Sequence, residues 1–513
     1  MKKTSEFLKN ALWLSAAALL LRSVSVGFNA YVAERLGSEG MGLFSLVSGI
    51  YLFALTLASA GISLSSTRLV AEELALGKKG GALAALRSVL CYATLSGGGA
   101  TLFLLSLAGV LGNAVLKDVR TVPSLVILAV GLLPVALSSA LGGYFTAVRR
   151  VYKNAAVSIF EQSVKMAATV LLLLRLLPYG VGAACAALAL GGTVAELLSF
   201  LLSFLLYRFD RRRHFRGVSA KATGRFLQTL KIALPIAVSS YARSGLSTVQ
   251  HLLVPGSLVK SGITRVEALS AIGILHGMVL PVLLFPTAVI GSFAGLLIPE
   301  VAEYKARGDL RGAGRCAARA LSVALVFSIG TAGLLSLLSG DLCTLLYGSP
   351  TAGYYLALLC PVIPVMYLDS IVDAFLKGLG HQVYSMGVNI ADAALSILLL
   401  LLLLPKYGVL GYIYVIYATE IFNFVLSLFR LLLCLRFDFS ILRTVLFPLL
   451  FTVLSYRAAR RIFTAEAGLF SLLLKLCFFL SLYLLLAAVF GMLDAHRKKG
   501  KKSLRVTLTE AQN

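Results

Sequence analysis

An arginine in the middle of an apolar run must meet protein, water or an anion, because its charge is fixed and too deep to reach the membrane surface. The 513-residue chain places Arg22 and Arg243 in that position, each about halfway along such a run. A guanidinium is planar and can bind two phosphate oxygens at once, so phosphate binding is the chemistry these residues suit. Asn29 and Gln250, further along the same two runs, and Lys475, deep in the last run, complete the substrate-binding candidates. Lys475 suits either a lipid phosphate or a partner on a neighbouring helix. A second set is acidic. Asp369 and Asp373 are four apart and share one helix face, where two carboxylates can hold a proton or a cation. Asp392 with Asn389, and Glu420 with Asn423, extend this coupling set, whose alternative is plain salt bridging to an arginine such as Arg243. Glu196 holds in the first half of the chain the place of Glu420 in the second. Glu161 and Lys165 read as a mutually neutralising pair, and His251 and His276 as interhelical hydrogen-bonders.

The elements that position these residues follow from composition. With 59% hydrophobic and 13% charged residues, the chain is an all-α polytopic membrane protein. Its apolar runs are about 20 residues long, enough to carry a helix across a hydrocarbon core of about 30 Å. Charged and Gly/Pro-rich breaks divide them into about 14 spans. These lie near 11–33, 41–66, 88–111, 122–147, 155–177 and 181–207, then 230–253, 269–298, 316–339, 354–376, 384–404 and 409–433, then 444–462 and 467–493. The first run lacks a small-residue cleavage site and is expected to stay as a helix. Pro281 and Pro286 each remove a backbone donor inside the eighth span, so the carbonyls they free need a partner on neighbouring helices or in a wet cavity.

The chain is internally duplicated. Val70, Ala71, Glu72, Ala75, Gly77, Gly81 and Ala82 recur as Val301, Ala302, Glu303, Ala306, Gly308, Gly312 and Ala313. Tyr152 recurs as Tyr384, Tyr179-Gly180-Val181 as Tyr407-Gly408-Val409, and Phe7-Leu8 as Phe226-Leu227, all at nearly one spacing. The expected organisation is an N-lobe over 1–207, a basic linker over 208–225, a C-lobe over 226–440, an extra helix pair over 441–494 and a tail over 495–513. Six spans per repeat keep the two lobes parallel, with a cavity expected between them.

The formal charge of +25 sits mainly in short connections on the side of the two tails, which puts both termini in the cytoplasm. Arg457, Arg460 and Arg461 oppose this bias. The linker arginines Arg211, Arg212, Arg213 and Arg216 read as a topology anchor or an anionic-lipid dock. No aromatic-interleaved basic patch points to nucleic acid. The seven cysteines show no CxxC spacing, so neither a disulfide framework nor a metal or other cofactor site is expected.

Four stretches carry a family resemblance: LGSEGMGLFSL at 36–46, RLVAEELALG at 68–77, LPIAVSS at 234–240 and LPVLLFPTAVIGSFAGLLIPEVAE at 280–303. They resemble the stage V sporulation protein B and polysaccharide-flippase family of the multidrug/oligosaccharidyl-lipid/polysaccharide exporter superfamily, which also holds the lipid II flippases. The resemblance implies two six-helix lobes, a V-shaped central cavity and alternating access. It also implies cavity arginines facing a lipid diphosphate and a final helix pair shaping a groove for the prenyl tail. Arg22 and Arg243 are the counterparts here, fewer than lipid II flippases carry. The expected function is a flippase, not an enzyme, moving an undecaprenyl-diphosphate-linked saccharide across the bacterial cytoplasmic membrane, as a monomer amid membrane lipids. A cation-coupled multidrug exporter of the same fold would call for acidic residues in the cores of spans 1, 7 and 8, which have none. A membrane glycosyltransferase would call for a sizeable outer loop with catalytic acids or a metal, whereas Glu34, Glu39, Asp118, Glu267 and Asp341 are scattered over short ones.

Overall fold

The computed structural model describes residues 2–214, 226–436, 442–463 and 468–510. The stretch 215–225, with Arg216 of the basic linker, lies outside the described residues. The chain runs α1 (Lys2–Ser59), α2 (Ile62–Ala75), α3 (Lys79–Val110), α4 (Val122–Ala147), α5 (Val151–Leu176), α6 (Val181–His214), α7 (Phe226–Val259) and α8 (Arg265–Ile272). It continues through α9 (Leu280–Leu283), α10 (Thr287–Ala306), α11 (Leu310–Tyr347), α12 (Pro350–Leu359), α13 (Ile363–Gly378), α14 (Gln382–Cys434), α15 (Phe447–Ile462) and α16 (Leu469–Glu510). No strand occurs among the described residues, as expected for a chain whose peptide groups must be satisfied within one segment in hydrocarbon.

Eleven helical segments among the described residues are long and apolar enough to cross a membrane, which makes this a multi-pass membrane protein. That number is below the expected fourteen for identifiable reasons. The first two runs are two helices joined without a loop across a kink at Gly37, whose φ of 69° and ψ of 176° are open to glycine, and so count as one segment. The runs either side of Gly408, at φ 56° and ψ −132°, likewise share α14. α7 is not among the eleven because Ser239, Ser240, Arg243, Ser244, Ser247, Thr248, Gln250 and His251 crowd its middle.

The contacts group the chain into two compact units. The first holds Met1–Glu34, Met278–Val388 and Ile416–Asn513; the second holds Arg35–Gly277 and Asn389–Val415. In the first, the helix broken by Pro281 and Pro286 is repaired by a neighbour. The Thr287 amide turns to the Leu284 carbonyl at 3.1 Å, and the Leu283 carbonyl instead accepts from the Tyr367 hydroxyl of α13 at 3.4 Å. α15 and α16 are fixed to α11 by a stacked aromatic group, Phe451, Phe479 and Tyr483, whose Tyr483 hydroxyl donates to the Val326 carbonyl at 2.7 Å.

In the second unit, small residues let backbones approach closely, as membrane helices favour. Ser66 donates to the Ala140 carbonyl at 2.7 Å and Thr193 to the Ile127 carbonyl at 3.1 Å. α8 begins in a capping box in which Thr264 and Glu267 each satisfy the other's backbone. The tightest approach is between residues 38–42 of α1 and residues 269–273. A Cβ on Gly42 would strike the Leu269 carbonyl, one on Gly273 would strike the Ser38 carbonyl, and the Ser38 and Ser270 hydroxyls are 2.6 Å apart. Gly42 and Gly273 are 231 residues apart, the spacing that relates Val70 to Val301, so the duplicated segments touch at equivalent positions.

This contact gives a direct test. Gly273→Ala should lower the melting temperature of the purified protein by several degrees, since overpacking costs roughly 1–3 kcal/mol. Gly256→Ala, at a helical glycine with nothing within 4 Å of the added methyl, should leave it unchanged or slightly raised. Equal melting temperatures for the two variants would contradict the packing described.

Candidate functional site

Arg243 lies midway along α7 and is exposed on the second unit. Residues three, four and seven positions away share its face, so Ser239, Ser240, Ser247 and Gln250 form a polar stripe around it. α7 is held in register by Thr248, which donates to the Gly49 carbonyl at 3.1 Å, and by Tyr241, which donates to the Leu57 carbonyl at 3.2 Å. At Gly61, at φ 78°, any Cβ would lie 2.6 Å from the Ala233 carbonyl, so α7 rests directly on the α1–α2 turn.

Next to this stripe, two histidines expected to act singly are brought together. His251 Nδ1 donates to the Ser247 carbonyl at 2.8 Å, and its ring meets that of His276 edge-on at 5.0 Å. His276 Nε2 lies 2.9 Å from the Tyr412 hydroxyl of α14. His276 belongs to a π-helical turn, Gly273–Val279, a distortion that often accompanies functional positions. Tyr412 carries no local sequence signal; only the fold brings it to His276.

In the first unit, Arg22 is half-buried on α1 within electrostatic reach of Tyr367, and Asn29, seven positions on and so on the same face, lies beside Tyr347 of α11. Among the described residues neither Arg22 nor Arg243 has a carboxylate within salt-bridge distance.

The acidic candidates have separate surroundings. Asp373 accepts from Ser385 and pairs with Lys377 one turn on, a local network at the α13–α14 turn. Asp369, one turn earlier on α13, is half-buried, as is Glu420 on α14 in the same unit. Asp392 belongs to the second unit and has one carboxylate oxygen buried without a hydrogen-bond partner among the described residues. Lys475 is only 9% exposed and pairs with Asp341 of α11 at 2.6 Å, so it is engaged by a neighbouring helix.

Two further acids stand in the second unit. Glu196 accepts from Tyr51 through one oxygen, and the other faces Gly131, where a side chain would collide with it. Glu161 and Lys165 both act on Glu196 and are not ion-paired with each other, contrary to their spacing. Asp210, grouped in sequence with the basic linker, is 3% exposed. It takes a hydrogen bond from Tyr144 at 2.8 Å and pairs with Lys153 at 2.7 Å and with Arg150, tying the ends of α4, α5 and α6. Its signal was a lone acid ahead of three consecutive arginines. Outside the spans, burial and then the charges of Arg430 and Lys305 hold the His381 imidazole below its ordinary range.

Among the described residues the protein is a helical, multi-pass membrane protein in which Arg22 and Arg243 lack a carboxylate partner, and its sequence and fold have known relatives. The chain belongs to the polysaccharide biosynthesis protein family, whose model matches residues 7–305. Stage V sporulation protein B of Bacillus subtilis (strain 168) is 25% identical over 415 residues, 79% of this chain and 79% of that protein. Sporulation protein YkvU of the same organism is 22% identical over 396 residues, 74% of this chain and 86% of its own. Among solved structures, lipid II flippase MurJ in an inward closed conformation aligns with a TM-score of 0.72 at 14% identity, over 93% of this chain and 98% of that one. A multidrug resistance MATE family transporter of the MOP superfamily, inward-facing, aligns with a TM-score of 0.61 at 14% identity, over 85% and 94%. The chain therefore shares its fold with these two transporters.

The Lys475–Asp341 pair separates structural from substrate roles. Lys475→Met should lower the melting temperature, because it strands a largely buried carboxylate, and adding Asp341→Asn should recover most of the loss. Recovered stability with normal transport would make Lys475 structural; recovered stability without transport would return it to the substrate path.

Proposed function

We propose that the protein is a flippase for a saccharide joined through a diphosphate to a long isoprenoid lipid, in practice undecaprenyl. It carries this lipid from the cytoplasmic to the outer leaflet of the bacterial cytoplasmic membrane by alternating access, with no bond made or broken. The observation that carries the reading is the absence, among the described residues, of a carboxylate partner for Arg22 or Arg243, in a chain of the polysaccharide biosynthesis protein family. An unpaired guanidinium at membrane depth costs several kcal/mol, and a phosphate substrate offsets that cost when it arrives. Similarity to stage V sporulation protein B and a fold shared with a lipid II flippase support the same class of cargo.

In this reading Arg22 and Arg243 meet the phosphates, and Asn29 and Gln250 hydrogen-bond the polar head. Asp369, Asp373, Asp392 and Glu420 are the candidates for coupling transport to a proton or cation, and one oxygen of Asp392 is buried without a hydrogen-bond partner among the described residues. The repeats 1–207 and 226–440 are the two moving lobes, the pair over 441–494 serves the lipid tail, and both termini and the 208–225 linker are cytoplasmic. The chain works as a monomer.

The test is flipping of a fluorescent prenyl-diphosphate saccharide in proteoliposomes. Arg22→Ala and Arg243→Ala should each slow it at least tenfold, about the worth of one bidentate charge-assisted contact, while lysine recovers only part. If Arg243→Ala combined with Asp369→Asn or Glu420→Gln flips normally, the arginine neutralises an acid and the phosphate role is lost. Arginine-independent efflux of a cationic dye would favour the exporter reading instead.

Orientation is checked in a cysteine-free background. Ser257 is only 3% exposed, so the external probe belongs at the exposed Lys260. Lys260→Cys should react with an impermeant reagent from outside and Arg213→Cys should not; the reverse would invert the direction of flipping.

A further inference from the structure

One face of α15 changes character along its length. Leu449, Thr452, Val453 and Tyr456 recur at helical spacing, and the same stripe ends in Arg457, Arg460 and Arg461. All seven border one open cavity of about 860 Å³, lined across from them by residues such as Ala332 of α11 and Pro361 between α12 and α13. It lies wholly within the first unit and has the volume of a ligand site. At 1.5 Å per residue, the stripe from Leu449 to Arg460 is about 17 Å long, a little over half a hydrocarbon core.

The three arginines need an explanation that topology does not supply, because they stand on the side of the membrane opposite to the positive-charge bias. A helix dipole favours cations in its last turn but does not require a cavity beside them. All three are exposed, and none has an acidic side chain within salt-bridge distance among the described residues. An apolar trough ending in three uncompensated guanidiniums is complementary to an amphiphile with a compact, multiply charged head.

We infer that this cavity binds a lipid diphosphate, hydrocarbon along the Leu449–Tyr456 stripe and phosphate oxygens on Arg457, Arg460 and Arg461. The inference rests on the flippase reading for the kind of lipid, and adds to it a holding site at the outer end of α15, apart from Arg22 and Arg243. The apolar walls select a lipid over a free anion. Three cations select a diphosphate over an ordinary phospholipid, whose diester carries a single charge.

The experiment measures binding of undecaprenyl diphosphate to the full chain in nanodiscs of neutral lipid, by native mass spectrometry, in an Arg22→Ala, Arg243→Ala background that leaves this cavity as the measured site. Changing Arg457, Arg460 and Arg461 together to glutamine should weaken binding about 100-fold, at roughly a factor of five per charge near a membrane surface. Changing them together to lysine should cost less than tenfold, which also shows that the protein is intact. Ala332→Phe, which fills the trough, should weaken the lipid while leaving inorganic pyrophosphate binding unchanged. Equal binding by the glutamine variant would overturn the inference. So would binding of undecaprenol or phosphatidylglycerol as tight as that of the diphosphate, or displacement by inorganic pyrophosphate at equal concentration. The two readings fail separately. Flipping that persists with binding indifferent to the triad removes only this site; triad-dependent binding without any flipping by the native chain removes only the flippase reading.

Discussion

A peptide carbonyl inside a bilayer has no partner except another part of the chain, and that scarcity shapes most of what this protein does with its polar atoms. Where the backbone stays helical the requirement is met locally. Where Pro281 and Pro286 interrupt it, the cost falls on a neighbour, and Tyr367 of α13 takes up the Leu283 carbonyl. The same rule recurs as Thr248 on Gly49, Tyr241 on Leu57 and Tyr483 on Val326: side chains reaching across to a foreign carbonyl and setting one helix against the next. These bonds fix the rotation of α7 and α16, and rotation decides which way Arg243 and Lys475 point.

Charge follows the same economy with a different outcome. Lys475 with Asp341, Asp373 with Lys377, and Asp210 with Lys153 and Arg150 are settled inside the protein. Arg22, Arg243 and the α15 triad are not settled by any described carboxylate. The settled charges hold helices together. These five are arginines, the residue that keeps its charge in any surroundings and presents a fork matched to phosphate.

Much of the helical framework was legible in sequence, because an apolar run of sufficient length has one stable form in lipid. Its interruptions were less so. The run over 41–66 is divided at Gly61, whose positive φ ends α1 and starts α2 afresh, whereas the breaks expected before 41 and 409 are single kinks at Gly37 and Gly408, where the backbone leaves helical dihedrals. Pairings were legible only when local. Asp373 and Lys377 are four apart and pair. Glu161 and Lys165 have the same spacing but form no ion pair among the described residues, and both act electrostatically on Glu196. Lys475 and Asp341, and His276 and Tyr412, are 134 and 136 residues apart, and only the packed fold brings them together. The α15 arginines were visible as an anomaly of charge; the trough beside them needed three helices to exist.

The close approach of Gly42 and Gly273 carries a consequence about origin. In a dimer of identical halves related by a two-fold axis, the residues nearest the axis meet their own copies. Two duplicated segments touching at equivalent glycines, so close that a Cβ on Gly42 or Gly273 would strike the other backbone, preserve that geometry inside one chain. The arrangement is what fusing two copies of one gene, whose product paired with itself, would leave. Fusion would then have freed each copy from symmetry, so that one could acquire the paired prolines and the other keep an unbroken helix, without either change being imposed on both.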